Sequence, residues 1–114
     1  MRVIISGKNF SLTPSLKEYA EKKILKLMKF SPLIGQARVE LDVDHNQRSG
    51  NINRVEIWLL LQKKTLQIGT KANDMRAAID QAVNKLETQL VRLKEKRQAK
   101  IRRAPRLADV LRRD

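Results

Sequence analysis

Hydrophobic residues recur at helical intervals from Asn73 to about Arg103, the longest periodic segment of the chain. Intervals of three and four place side chains on one face of an α-helix, and the residues with this spacing are Met75, Ile79, Ala82, Leu86, Leu90 and Leu93. Asn73 is a favourable N-cap, and the basic residues of the last turns suit the negative end of a helix dipole. The pattern predicts one long amphipathic helix that ends at Ala104 and Pro105.

A row of basic residues accompanies the apolar face of this predicted helix. At about 100° per residue, its members form a separate stripe beside that face: Lys85, Arg92, Lys96, Lys100 and Arg103. Glu87 and Glu95 fall on the opposite side, so the stripe has a single sign. Many helices simply solvate their outer face with charge, and that alternative stays open. The segregation of charge nevertheless favours a polyanionic partner.

A second helical pattern begins at Thr13 and Pro14, an N-cap residue followed by proline at the first helical position. The pattern continues to about Phe30, and Ser31-Pro32 is expected to stop it. Its apolar positions are Leu16, Tyr19, Ala20, Ile24, Leu27 and Met28. The segment is predicted to be a second amphipathic helix.

Four lysines of this second helix are candidate binding residues. Lys22, Lys26 and Lys29 share one flank of the helix. Lys23 instead falls inside the apolar arc. Its stem should therefore lie along packed surface, with its ammonium group at the rim.

Alternation of apolar and polar residues predicts four strands. They span residues 2–6, 37–44, 54–61 and 66–68, and Gly69 is expected to end the last one. The predicted order is β-α-β-β-β-α, with consecutive antiparallel strands in the middle. The simplest architecture is a two-layer α+β sandwich, in which two helices cover one face of a four-stranded sheet.

The strand residues that point away from the predicted helices include four carboxylates, namely Glu40, Asp42, Asp44 and Glu56. The basic helix residues lie on the opposite side of the molecule. The open sheet face is therefore expected to form an acidic back and the helices a basic front, so that the field of the protein orients the helices towards phosphate. Trp58 and Leu60 also lie on this outer face. They are interpreted as a partly shielded surface pair, with a contact site for a partner as the alternative.

The overall charge indicates which class of binding partner to expect. The 114 residues carry 25 Lys and Arg against 12 Asp and Glu, a formal net charge of +13, which indicates nucleic acid first and an anionic membrane second. The apolar face of the long helix holds Met, Ile, Ala and Leu, rather than the Trp and Phe of interfacial membrane helices. Since aromatic residues make up only 4% of the chain, phosphate contacts on structured RNA fit better than base stacking.

Length and composition predict one domain, residues 1–103, followed by a short basic tail, residues 104–114. The absence of cysteine excludes a disulfide framework and fits a cytoplasmic protein. No segment approaches the ~20 apolar residues of a membrane span.

No group of residues suggests catalysis. His45, the single histidine, lies in a polar segment without a nearby second metal ligand. Carboxylates at alternate positions of one strand stand roughly 6–7 Å apart, which is wide for shared ligation, so Glu40, Asp42 and Asp44 are interpreted as a solvated face. The glycines are scattered and form no phosphate-binding loop. An enzyme, a metal centre and a cofactor are not expected.

Two blocks of residues resemble a known family. The first is Gly7-x-Asn9 with Thr13, Leu16-Lys17-Glu18 and Lys23-x-x-Lys26-Leu27. The second and more specific block is Asp74-Met75-x-Ala77-Ala78-Ile79-Asp80, followed by Lys85-Leu86 and Gln89-Leu90-x-Arg92. Over residues 1–97 the chain resembles the short form of the ribosome hibernation promoting factors, also called ribosome-associated inhibitors or sigma-factor modulation proteins.

The resemblance implies a fold similar to double-stranded RNA-binding domains and a function in translation regulation during stress. The partner would be the decoding region of the small ribosomal subunit and its rRNA, where the protein would exclude mRNA and tRNA without turnover. No membrane and no small-molecule substrate are implied. The rRNA-binding residues implied by the resemblance are Lys22, Lys23, Lys26, Lys85, Arg92 and Lys96, to which the charge pattern adds Lys29 and Lys100.

Two positions depart from the family pattern. Arg76 stands where tyrosine is usual, and Thr88 stands where arginine is common. The resemblance is to short members, without the separate C-terminal domain by which long members pair ribosomes, and the expected effect on ribosome pairing is left open. The alternative function is a regulator whose partner is an acidic protein that docks on the helices or on Trp58.

Overall fold

The computed structural model describes residues 2–30, 33–45 and 52–113, with side chains described as far as residue 96. Its elements are β1 (Arg2–Lys8), α1 (Pro14–Leu25), a 3-10 helix (Lys26–Lys29), β2 (Ile34–Asp44), β3 (Ile52–Leu61), β4 (Thr65–Ala72) and α2 (Met75–Arg113). The predicted order is confirmed, and the strands form one four-stranded sheet in the order β1-β2-β3-β4. The predicted α+β class is therefore correct.

Strand pairing makes the sheet mixed. β1 runs parallel to β2, whereas β2–β3 and β3–β4 are antiparallel. A parallel pair needs a crossover connection, and α1 provides it. The pairing register shifts once, between Ile34 and Gln36 of β2, and is regular from Gln36 onward. From there, residues at alternate strand positions form rows that cross the sheet. These rows determine which side chains share each sheet face.

One face of the sheet packs against both helices and forms the core. Val39, Leu41 and Ile57 of the sheet are fully buried, and Leu86 of α2 and Ile24 of α1 are buried against them in the same cluster. Each such side chain stabilises the fold by about 1.5–3 kcal/mol relative to an exposed position. The basic residues on the outer sides of the helices are thereby held on a rigid base.

The first helix differs from its prediction at its C-terminal end. The α-helix stops at Leu25, and the 3-10 turn that follows is typical of helix termini. This tighter turn buries Leu27 completely but leaves Met28 40% exposed. Leu25, the last residue of the α-helix, is 46% exposed. The prediction that Met28 belongs to the apolar face is wrong, because a 3-10 turn advances more per residue than an α-helix. Ser31-Pro32 lie outside the described residues.

The second helix differs from its prediction at both ends. Asp74 is the N-cap, since its Oδ2 accepts a hydrogen bond from the Ala77 backbone N–H at 3.2 Å. Asn73 was the predicted cap, but its carbonyl accepts instead from the Asn53 side chain at 2.9 Å, which ties it to the sheet. The helix also continues past Pro105 to Arg113, so the prediction that Ala104 and Pro105 end it is wrong, although an internal proline costs the helix a backbone hydrogen bond. The boundary at residue 103 between domain and tail stays a prediction.

The strands are longer than the alternation indicated. β4 runs through Gly69, which pairs with Glu56 of β3, so the prediction that Gly69 ends this strand is wrong. β1 runs through Gly7 to Lys8. The chain turns at Asn9, whose φ of 65° is left-handed, a conformation that asparagine adopts more readily than most residues. Residues 46–51, which continue the polar segment that begins at His45, lie outside the described part.

Candidate nucleic-acid interface

The lysines predicted on the first helix line one groove. Lys22, Lys26 and Lys29 are exposed, and together with Lys23 they border a depression of about 610 Å³ whose floor includes Tyr19. Exposed Leu25 and Met28 complete the lining. Lys22 is 3.7 Å from Glu18, but both side chains are exposed, so water screens this pair strongly. The groove combines a cationic rim with an apolar floor.

Lys23 has a different environment from the other lysines. Its Nζ lies 3.5 Å from Asp80 Oδ1 on α2 and 5.6 Å from the centre of the Tyr19 ring. Its side chain is 32% exposed, in agreement with the expectation of a long stem on packed surface. Since its charge is already paired within the molecule, Lys23 offers less to an anionic partner than its neighbours do.

Tyr19 joins the two helices through a cluster that sequence reasoning missed. Its hydroxyl donates a hydrogen bond of 2.7 Å to Asp80 Oδ1, across 61 positions of sequence. This hydrogen bond, with burial as a second cause, raises the pKa of Tyr19 above its ordinary value of 10.0. The Arg76 guanidinium lies 5.1 Å from the ring centre and donates to Ser15 Oγ at 3.2 Å. Arg76, the departure from the family pattern, thus packs on an aromatic ring of the first helix.

The basic row of α2 lies on the flank that faces away from α1. Lys85, Arg92 and Lys96 are all exposed. They are rotated by about 120–160° around the helix from Asp80, the residue that contacts α1. The structure therefore places the predicted binding residues in two separate rows, one on each helix, rather than in one seam. Lys100 lies in the part of α2 whose side chains are not described.

Five of the predicted residues carry charges that are unpaired with the described part of the protein. Their side chains make no ion pair and no hydrogen bond with any described residue; the five are Lys26, Lys29, Lys85, Arg92 and Lys96. Unpaired surface cations hold a layer of counterions, and phosphates that replace these counterions gain affinity by releasing them. Thr88, the second departure from the family pattern, adds no charge, and its hydroxyl donates to the Asn84 carbonyl at 3.1 Å.

The open face of the sheet does not form the acidic back expected from the sequence. Glu40, Asp42, Asp44 and Glu56 do lie on this face, but the register places cations among them. These cations are Arg2, Lys8, Arg38, Arg54 and Lys71. Arg54 NH2 lies 3.2 Å from Asp44 Oδ2. The expectation is wrong because basic residues share the strand parity of these carboxylates, as Arg38 does in β2 and Arg54 in β3, a signal already present in the sequence.

His45 and the nearby carboxylates form a hydrogen-bonded corner of the fold. His45 Nε2 lies 2.9 Å from the Asn9 carbonyl, and Asn9 Nδ2 donates to Asp42 Oδ1 at 2.7 Å. Within the described residues, no three histidine or acidic side chains are arranged to hold a metal ion. In the same part of the chain, no helix has the length and hydrophobicity needed to span a bilayer.

Comparisons with known proteins agree on one family. Residues 3–98 match the family described as sigma 54 modulation protein / S30EA ribosomal protein. The ribosome hibernation promotion factor of Deinococcus radiodurans is 36% identical over 90 residues, which are 79% of this chain and 47% of that protein. The ribosome hibernation promoting factor of Azotobacter vinelandii is 31% identical over 96 residues, which are 84% of this chain and 85% of that protein.

A solved structure shares the fold. The N-terminal domain of Protein Y from Thermus thermophilus has a TM-score of 0.68 and 30% identity, covering 82% of this chain and 99% of that one. The present chain spans about half the length of longer relatives such as the Deinococcus radiodurans protein. Because the family match extends over most of the chain, and both sequence blocks lie within it, the chain belongs to the sigma 54 modulation protein / S30EA ribosomal protein family.

Proposed function

We propose that this protein is a ribosome hibernation factor that inhibits translation by binding the small ribosomal subunit. Its two basic rows would contact rRNA in the decoding region and exclude mRNA and tRNA. Membership of the family and the names of the curated relatives support the link to the ribosome. The site on the ribosome and the competition with mRNA and tRNA are part of the proposal, as is a cytoplasmic location.

The observation that carries the proposal is the set of unpaired cations on the helices. Lys26 and Lys29 border the groove beside α1, whereas Lys85, Arg92 and Lys96 line the far flank of α2. Two rows on one rigid layer can contact phosphates of two different rRNA segments at once. Such contacts position a protein on RNA without reading base sequence, which suits a factor that recognises a folded RNA surface.

Occlusion requires no chemistry from the protein. A bound domain that occupies the path of mRNA and tRNA inhibits translation as long as it stays bound, so affinity determines the strength of inhibition. Since each phosphate contact releases counterions, binding should weaken steeply as salt concentration rises. Ionic strength would therefore govern occupancy on the ribosome.

Co-sedimentation with purified small subunits, large subunits and intact ribosomes tests the proposal. We expect binding that requires the small subunit and decreases when mRNA and tRNA are added. The variant that combines Lys85→Glu with Arg92→Glu should lose most of this binding, because like charges then face the rRNA. A matched control combines Lys8→Glu with Lys71→Glu, an equal change in net charge on the open sheet face.

The two variants separate specific contacts from bulk charge. Equal loss of binding in both would mean that net charge alone drives association, and the helix rows would then have no special role. Tight binding of the parent protein that leaves tRNA and mRNA binding unchanged would refute occlusion.

A regulator that binds an acidic protein is the second candidate. The specific observation in its favour is the apolar floor beside the lysines, where Leu25 and Met28 are 46% and 40% exposed. A protein helix with acidic and apolar residues would fit such a groove. Leu25→Ser together with Met28→Ser would weaken protein docking strongly but affect a phosphate-driven ribosome contact little.

A further inference from the structure

The open face of the sheet carries an apolar patch that the helix rows do not explain. We call Ile4, Trp58 and Leu60 the Trp58 patch. The register places Arg38 of β2 directly opposite Trp58, and Gln67 of β4 opposite it on the other side. Ile4 of β1 lies opposite Arg38. The four residues thus form one row, Ile4-Arg38-Trp58-Gln67, across the width of the sheet.

The patch is accessible to solvent. Leu60 is 39% exposed, and Trp58 and Ile4 are partly exposed. Both helices pack on the other face of the sheet, where the core residues lie. Within the described part of the chain, no element covers this face. Trp58, on a central strand, thus keeps part of its side chain accessible, with neighbouring side chains on the same face roughly 5–7 Å away.

Basic residues lie beside the Trp58 patch, near the C-terminal end of β3. Arg2 lies in the row of Leu60, Arg38 lies beside Trp58, and Lys63 and Lys64 form the turn between β3 and β4. Neither Arg2 nor Arg38 makes an ion pair with a described residue. These two rows hold no carboxylate, whereas the adjacent row, Ser6-Glu40-Glu56-Gly69, holds two. The local charge is therefore positive, although the whole face is mixed.

The size of the patch favours a nucleotide over a protein. A stable protein interface covers about 800 Å² on each partner and 20–30 residues, far more than three apolar side chains provide. One unpaired base, by contrast, needs only one aromatic surface, and nearby cations bind the phosphates on either side of it. Every base has such a surface, so this recognition requires no particular sequence.

We propose that the Trp58 patch is a second RNA site, which binds a short unpaired RNA segment by stacking one base on Trp58. Arg2 and Arg38 contact the flanking phosphates, and Leu60 supports the edge of the base. This site lies on the opposite face of the sheet from the helix rows and goes beyond the proposed ribosome-binding function. It would let the domain hold a free RNA strand while its helices bind structured rRNA.

Tryptophan fluorescence provides a direct test, because Trp58 is the single tryptophan of the chain. The full chain is titrated with a single-stranded oligoadenylate of about ten nucleotides, within the site sizes of known single-strand binders. We expect saturable quenching by the oligonucleotide and little quenching by a blunt duplex of the same length. Free N-acetyltryptophanamide, titrated in parallel, corrects for absorption by the RNA.

Three variants make the test decisive, with oligonucleotide affinity measured by anisotropy of a labelled strand. Trp58→Leu should weaken binding about 5- to 100-fold, whereas Trp58→Phe, which keeps an aromatic surface, should weaken it much less. Combined Lys85→Glu and Arg92→Glu should leave the quenching of Trp58 intact. Thermal unfolding of each variant identifies any loss of fold, and Trp58→Phe keeps the test valid if the leucine variant unfolds.

Several outcomes would overturn the second site. Undiminished affinity in Trp58→Leu would show that the strand binds elsewhere. Loss of quenching in the α2 variant would place the strand on the helices. Quenching by a polyglutamate peptide, without quenching by the oligonucleotide, would assign the patch to an acidic protein.

Discussion

Replacing Asp80 by asparagine removes the charge at the centre of the contact between the two helices. In the native protein Asp80 Oδ1 accepts from the Tyr19 hydroxyl at 2.7 Å and lies 3.5 Å from Lys23 Nζ. Asparagine has the same shape and retains an oxygen acceptor, so the substitution leaves no cavity. Its effect therefore measures the charge of Asp80 rather than its volume.

The loss of stability follows from two contributions. A hydrogen bond to a charged acceptor stabilises a protein by about 1.5–3 kcal/mol and a neutral one by about 0.5–1.5 kcal/mol, so roughly 1 kcal/mol is lost there. The Asp80 side chain is 41% exposed, and an ion pair screened to that degree adds only about 0.2–1 kcal/mol. We expect Asp80→Asn to lower the free energy of unfolding by about 1–2 kcal/mol, which corresponds to roughly 4–10 °C in Tm.

The substitution should also change the titration of Tyr19. The Asp80 carboxylate, through its hydrogen bond, is the largest cause of the raised pKa of Tyr19, so the pKa should fall in Asp80→Asn. A pKa raised by folding stabilises the native state below the unfolded-state value of 10.0, and this stabilisation is lost as pH rises through the folded-state pKa. The difference in stability between parent and variant should therefore narrow above pH 10.0.

Ultraviolet titration of tyrosinate measures this pKa without ambiguity, because the chain has a single tyrosine. Chemical unfolding at neutral and alkaline pH gives the stabilities. Asp42→Asn is the matched control, since it removes a carboxylate that hydrogen-bonds Asn9 on the sheet, and it should leave the pKa of Tyr19 unchanged. An unaltered Tyr19 pKa in Asp80→Asn would refute the assigned cause, and unaltered stability would refute the role of the cluster in joining the helices.

Three further substitutions test how the N-terminal part of α2 is held. Thr70→Val removes the hydrogen bond of 2.7 Å from the buried Thr70 hydroxyl to the Ala78 carbonyl, and we expect a loss of about 1 kcal/mol in urea unfolding; an unchanged midpoint would contradict this. Asp74→Ala removes the cap on the Ala77 N–H and should cost about 0.5–2 kcal/mol, whereas the same change at Asn73 should cost less if Asp74 is the true cap. Circular dichroism melting of the two alanine variants gives the comparison.

The candidate binding residues show which features of the site the local sequence pattern could predict. Helical spacing placed Lys85, Arg92 and Lys96 on one exposed stripe, and the structure agrees. The same spacing gave no information about where this stripe lies relative to α1. The packing of α2 on the sheet directs Asp80 towards Tyr19 of α1. The basic stripe therefore lies on the flank of α2 that faces away from α1, and the candidate binding residues form two separate rows.

The sequence alone determined the order of elements, the α+β class and most of the core, because the side of a helix or strand that is buried follows from periods of about 3.6 and 2 residues. Resemblance in two blocks likewise identified the family. Tertiary structure alone decided the parallel pairing of β1 with β2, the cluster around Tyr19 and the mixture of charges on the open sheet face. It also decided that α2 is capped by Asp74, whereas the backbone carbonyl of Asn73 accepts a hydrogen bond from the Asn53 side chain of β3. These features depend on contacts between residues distant in sequence. The periodic spacing of apolar residues within one helix or strand does not specify which distant residues come into contact.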